Sequence, residues 1–166
     1  MQREIILHRR LRWLTWLFIT GLVVSGATAI PLVTELNWLS ALTGSSYDSS
    51  CHDVPAVLVW IEKVRTALLE TQGKYPFLFY GTDWLAFGHF VIAIAFLGAL
   101  RDPVRNRWLF DFGLIACALV IPFAFVFGGL RGIPVWWRLV DCSFGVFGAV
   151  PLWFCRKWAM ELDRQK

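Results

Sequence analysis

The stretch "WLAFGHFVIAIAFLGALRDPVRNRW", residues 84–108, decides the class of this chain. From Trp84 to Leu100 the only polar side chain is His89. Three arginines and one aspartate then fall between residues 101 and 107, and a second apolar run opens at Trp108. An apolar run close to the roughly 20 residues that cross a bilayer, followed by a tight basic break, reads as a membrane span and its loop. Working outward, similar runs cover about residues 13–34, 108–128 and 134–155. Composition agrees: 57% of the 166 residues are hydrophobic and mean hydropathy is +0.57, against about 45–50% apolar in a soluble domain. The expected fold is all-α, a single polytopic membrane domain over 1–166 built as a four-transmembrane-helix bundle. The 84–100 span is the shortest and borrows length from its flanks.

The charges orient it. Arg3, Arg9, Arg10 and Arg12 precede the first span, Arg101, Arg105 and Arg107 join the second to the third, and Arg156, Lys157, Arg164 and Lys166 follow the fourth. Most of the 16 basic residues thus share one side, which the positive-inside rule places in the cytoplasm with both termini. The expected location is the cytoplasmic (inner) membrane. Trp13, Trp16, Trp84, Trp108, Trp136, Trp137, Trp153 and Trp158 lie near span ends, as an aromatic belt requires. A cleavable signal is the competing reading of the first span, because Ala27-Thr28-Ala29 resembles a cleavage site. Its apolar stretch exceeds the roughly 7–15 residues of a signal, which disfavours cleavage.

Residues 1–12 read as a short amphipathic lead-in on the anionic surface. Gly21, Ser25 and Ala29 form a small-residue stripe suited to close helix contact, and Pro31 kinks or ends the span. The external segment, about residues 35–82, holds a turn-rich loop, "TGSSYDSSCHD". An amphipathic helix follows, with Pro55 in its first turn and Gly73 at its stop. Thr82 or Asp83 is expected to cap the second span. Asp111 is expected to pair with Arg107 at i,i+4 spacing. Pro122 kinks the third span, and "GGLRGIP" turns the chain into the fourth.

The fourth span keeps two charges. Arg138, Asp141, Gly145, Gly148 and Leu152 share one helical stripe whose glycines mark a close helix contact. Asp141 lies about 10 Å along the helix from Pro134 at 1.5 Å per residue. Ionisable groups inside a span are expensive and point to a site, although a mutually satisfied ion pair that fixes helix register is the equal alternative. His89 shares a stripe with Asp83, Ala86, Ala93 and Phe96 and lies about 9 Å below the outer end by the same helical rise. His89, Arg138, Asp141 and Asp83 are therefore the candidate ligand-binding residues. Arg, Asp and His together suit a polar headgroup, a quinone carbonyl or proton transfer, while a buried, hydrogen-bonded His89 is the structural alternative.

Other chemistry lacks its residues. A bis-histidine haem needs two facing membrane histidines and only His89 is available, so haem is not expected. Cys51, Cys117, Cys142 and Cys155 show no CxxC spacing, and "CHD" at 51–53 is too little for a metal site on its own. Phosphate-binding glycine loops and hydrolase motifs are missing. No like-charge block or low-complexity tract supports a nucleic-acid partner.

At "YPFLFYGTDWLAFGHFVIAIAFLGALRDPVRNRW" (75–108) and "RGIPVWWRLVDCSFGVFG" (131–148) the chain resembles a group of uncharacterised bacterial four-span integral membrane proteins. In layout it is also similar to the DoxX-like proteins, some of them subunits of quinone-linked oxidoreductases, and to the EXPERA-type sterol isomerases and sterol binders. Those resemblances imply a lipophilic ligand, and no site residue is carried over from them. Three functions are expected in order. The first is binding of a quinone or isoprenoid lipid in the outer half of the bundle. The second is an accessory subunit bound to a membrane protein partner, and the third a small transporter acting as a homo-oligomer.

Overall fold

The computed structural model describes residues 2–42 and 55–165. The loop expected over 43–53, with Cys51, His52 and Asp53, lies outside them. The described residues form six α-helices: α1 (Gln2–Ala29), α2 (Leu32–Leu42), α3 (Ala56–Lys74), α4 (Tyr80–Arg101), α5 (Trp108–Leu130) and α6 (Val135–Asp163). Four helical stretches are long and apolar enough to cross a membrane: Gln2–Ala29, Pro76–Arg101, Trp108–Leu130 and Val135–Asp163. The protein is an all-α, multi-pass membrane protein. Two compact units divide the chain, Met1–Leu22 with Ile92–Lys166, and Val23–Val91.

The first unit is built on a seam along α6. Gly145, Leu152, Cys155, Ala159 and Leu162 are buried, with Gly148 half-buried between them. Steps of three and four residues keep one face of a helix turned to its neighbours. Small side chains on that face bring backbones together. A Cβ on Gly145 would stand 2.6 Å from the Cys117 carbonyl oxygen of α5, and one on Gly113 would meet Leu152 of α6 at 2.7 Å. Phe96 fills the centre, its ring 4.8 Å from that of Phe18 and 6.3 Å from that of Phe110.

α1 joins this core through Leu7, Leu11, Thr15 and Ile19, all buried at four-residue steps. Residues 1–12 are therefore no separate surface lead-in. From Gln2 on they are the first turns of a continuous 28-residue helix, about 42 Å long at 1.5 Å per residue. The same register explains why the Gly21–Ser25–Ala29 stripe is not the packed one. Gly21 has nothing within 4 Å of a would-be Cβ, because two residues from Ile19 is more than half a turn around the helix.

Charged residues set the ends of the spans. Asp111 pairs with Arg156 of α6 and not with Arg107, whose Nη1 lies 3.7 Å from Asp163 Oδ2. The nearer Arg107 loses to Arg156 because α5 and α6 are packed side by side, and the turn after α4 carries its own bonds: Asn106 Nδ2 donates to the Gly98 and Asp102 carbonyls, both at 3.0 Å. Arg3 and Glu161 add a third pair at 2.6 Å. Partners for Arg156, Glu161 and Asp163 carry α6 two turns past the expected end at 155.

In the second unit, Pro31 is followed by a helix in its own right, α2, whose Glu35 N–H donates to the Pro31 carbonyl at 3.0 Å. The amphipathic helix forms as α3 with Pro55 at its N-cap and runs one residue past Gly73. Neither Thr82 nor Asp83 caps α4. A 3₁₀ turn over Pro76–Phe79 starts the helix earlier, so both lie in its first turn, and Thr82 Oγ1 donates instead to the Phe79 carbonyl at 2.7 Å.

Candidate functional site

Arg138 and Asp141 belong to the first compact unit, and Asp83 and His89 to the second. The turn between α5 and α6 positions the first two. Gly132, with φ +68°, ends α5 in the left-handed region that only glycine enters without strain. Gly132 N–H bonds the Gly129 carbonyl at 3.2 Å and Ile133 N–H bonds the Gly128 carbonyl at 2.8 Å, the paired bonds of a Schellman ending. Pro134 then opens α6 without needing a donor.

Arg138, one turn into α6, folds back onto this ending. Its Nε donates to the Ile133 carbonyl at 2.8 Å, and its aliphatic stem lies across Gly128, where a Cβ would come within 2.9 Å of Cγ. Backbone amides of the turn serve the Gly128, Gly129 and Pro134 carbonyls, and Arg138 supplies a charged donor to that of Ile133. The Arg138–Asp141 ion pair, the alternative to a site, is not among those the described residues form. Arg138 thus spends Nε on the backbone and keeps its terminal nitrogens, while Asp141 is half-buried one turn deeper. On the same helix face Cys142 and Gly145 are buried, Gly145 against Cys117 and Val120 of α5.

His89 is half-buried on α4, with Nδ1 2.8 Å from the Leu85 carbonyl. A carbonyl only accepts, so Nδ1 carries the hydrogen in that bond and the neutral ring presents Nε2 as an acceptor. The His89 Cβ backs onto Gly26 of α1, where an added Cβ would lie 3.0 Å away. Asp83 is exposed in the first turn of α4, where the helix dipole favours a carboxylate. It lines a shallow groove of about 210 Å³ with Tyr80, Trp84 and Phe87. Tyr80 and Trp84 stack edge-on at 5.9 Å.

One polar junction in the first unit has no counterpart among the residues singled out from the sequence. Thr15, buried on α1, donates to the Leu11 carbonyl at 2.8 Å, and Cys155 of α6 reaches both the Thr15 hydroxyl and that carbonyl at 3.7 Å. The signal was present in Thr15's place in the Leu7–Leu11–Ile19 register and Cys155's place on the seam. A short polar side chain bonding its own helix reads as surface until a partner helix covers it. Among the described residues no three His, Cys, Asp or Glu side chains gather as a metal site would require. Compared with protein-family models, with curated proteins and with solved structures, the chain matches none.

Proposed function

We propose that the protein is a bacterial cytoplasmic-membrane protein, both termini inside, that holds the polar head of a lipophilic ligand, a quinone or isoprenoid lipid, beside Arg138 and Asp141. One observation carries the reading: two ionisable side chains one turn apart in a span do not satisfy each other. Arg138 turns to the Ile133 carbonyl, leaving donors over and an acid without an ion-pair partner among the described residues. Polar groups left unmet at membrane depth are costly. A ligand carbonyl or hydroxyl near Arg138 accepts from the terminal guanidinium nitrogens, which hold a fixed planar geometry. Asp141 accepts from a hydroxyl, or gives and takes a proton as the ligand changes state. The apolar remainder of the ligand lies along exposed α6 side chains such as Leu139 and Val140.

The test is gentle detergent extraction followed by identification of bound lipids and proteins. A lipophilic compound recovered with the wild type and lost from Asp141→Asn, at unchanged helix content and melting temperature, is the expected result. Unchanged ligand content with lowered stability removes the reading and leaves Asp141 a structural residue. Recovery of a stoichiometric membrane protein in place of a lipid assigns the chain to the accessory-subunit role instead.

A further inference from the structure

The ends of α1 and α6 that meet in the first unit enclose a groove of about 610 Å³, and its chemistry is unlike that of the Arg138 region. Leu7, buried in the core, forms its floor beside Ile6. Trp158 forms an apolar wall, and Arg3, Arg10, Lys157 and Glu161 supply the charge. Glu161 is taken by Arg3 at 2.6 Å. Arg10 and Lys157 are both exposed and enter none of the ion pairs formed by the described residues. Lys157 Nζ lies 5.4 Å from the centre of the Trp153 ring, an arrangement that keeps an ammonium beside an indole at the polar edge of a membrane.

A second groove on α1, about 590 Å³, lies in the same turns and is lined by His8, Arg9, Arg12, Trp13 and Trp16 among others. The charge of this end is lopsided. Arg3, Arg9, Arg10, Arg12, Arg101, Arg105, Arg107, Arg156, Lys157 and Arg164 face only Glu4, Asp102, Asp111, Glu161 and Asp163. Glu161, Asp163 and Asp111 pair with Arg3, Arg107 and Arg156, and neither Arg10 nor Lys157 enters those pairs.

We propose that the α1–α6 groove binds the phosphodiester headgroup of an anionic phospholipid, with Arg10 and Lys157 at the phosphate and Trp158 and the Ile6–Leu7 floor against the glycerol and first acyl carbons. Charge complementarity selects an anion. The apolar floor, opening at the end of two membrane spans, selects one that carries acyl chains over a free anion. Groove size fits, since small-molecule sites run to about 300–1,000 Å³. This site is independent of the one at Arg138 and Asp141.

The experiment counts lipids on the full-length protein by native mass spectrometry after exchange into micelles containing phosphatidylglycerol or phosphatidylcholine. The wild type is expected to prefer phosphatidylglycerol by about tenfold, and Arg10→Gln/Lys157→Gln to lose that preference. Arg105→Gln/Arg164→Gln removes two charges from the same end of the unit and is expected to keep it, as is the charge-conserving Arg10→Lys/Lys157→Arg. Equal loss in both glutamine variants means a diffuse charge effect and overturns the site, as does an unchanged preference in Arg10→Gln/Lys157→Gln. Displacement of the lipid by millimolar inorganic phosphate would assign the groove to a free anion and overturn the lipid. Should the double variant not fold, Lys157→Gln alone is read the same way.

Discussion

Two helix pairs in this protein are held by opposite means. α5 and α6 meet through absent side chains: Gly145 lets the Cys117 backbone, and Gly148 the Cys117 sulfur, come within the reach of a methyl group. α2 and α3 meet through long polar side chains. Arg65 grips Glu62 with Nε at 2.9 Å and Nη2 at 2.5 Å, reaches Asn37 Oδ1 across the pair at 3.1 Å, and Ser40 donates to Glu62 at 3.4 Å. A steric seam works wherever it lies and is insensitive to pH and salt. A partly exposed polar cluster is screened by water and fails when its charges change. The packed seam of the spans uses the first device, with ion pairs such as Asp111–Arg156 at its end, and α2 and α3 use the second.

Substituting the seam is the harshest way to break the contrast. Gly145→Ala places a Cβ 2.6 Å from the backbone oxygen of Cys117, and backbone cannot swing aside as a side chain does. The expected loss is about 1–3 kcal/mol, as for other overpacked contacts, read as a lowered unfolding midpoint in detergent. Gly132→Ala should come next. Its φ of +68° costs a residue with a Cβ roughly 1–2 kcal/mol, and the loosened turn should weaken protection of the Arg131–Ile133 amides from exchange. Gly88→Ala is the control that separates packing from residue type. Nothing lies within 4 Å of its would-be Cβ, so a gain of about 0.4–1 kcal/mol in thermal unfolding is expected in place of a loss.

The smallest effect belongs to the polar pair, and it is the one that depends on pH. The hydrogen bond from Arg65, ahead of the opposing desolvation, holds the Glu62 carboxyl below the usual glutamate range. A depressed folded value stabilises the ionised form. The contribution is therefore complete above the ordinary glutamate range and is lost as pH falls through the lowered value. Carboxyl NMR titration of Glu62 should show the lowered midpoint in the wild type and a return to the usual range in Arg65→Gln. Equal midpoints in the two proteins would remove the Arg65 contact as the cause. Seam variants should leave this titration unmoved.

Much of the fold was legible because the membrane imposes simple arithmetic. Four apolar runs near the spanning length predict four long helices, and the glycines after Asp141 predict which face of α6 is packed. Boundaries were less legible. The end of α6 depends on Arg156 finding Asp111 and Glu161 finding Arg3, and pairs between helices leave no spacing rule in one sequence. For the same reason the sequence points Asp111 to Arg107, the nearest cation along the chain, and not to Arg156. The site was legible only as residue types. Arg138 and Asp141 are conspicuous in any hydropathy reading, whereas the Ile133 carbonyl that takes Arg138 is a backbone atom no side-chain pattern announces.

The sequence by itself determined that the chain is helical, multi-pass and asymmetric in charge, because those properties are sums over residues and need no partner. Tertiary structure alone decided which glycine is a contact and which is empty, Gly145 against Gly21. It also decided which carboxylate each arginine holds, and that Arg138 turns to the backbone and not to Asp141. Such choices depend on what another helix places within a few ångströms, and that distance is not written in either helix alone.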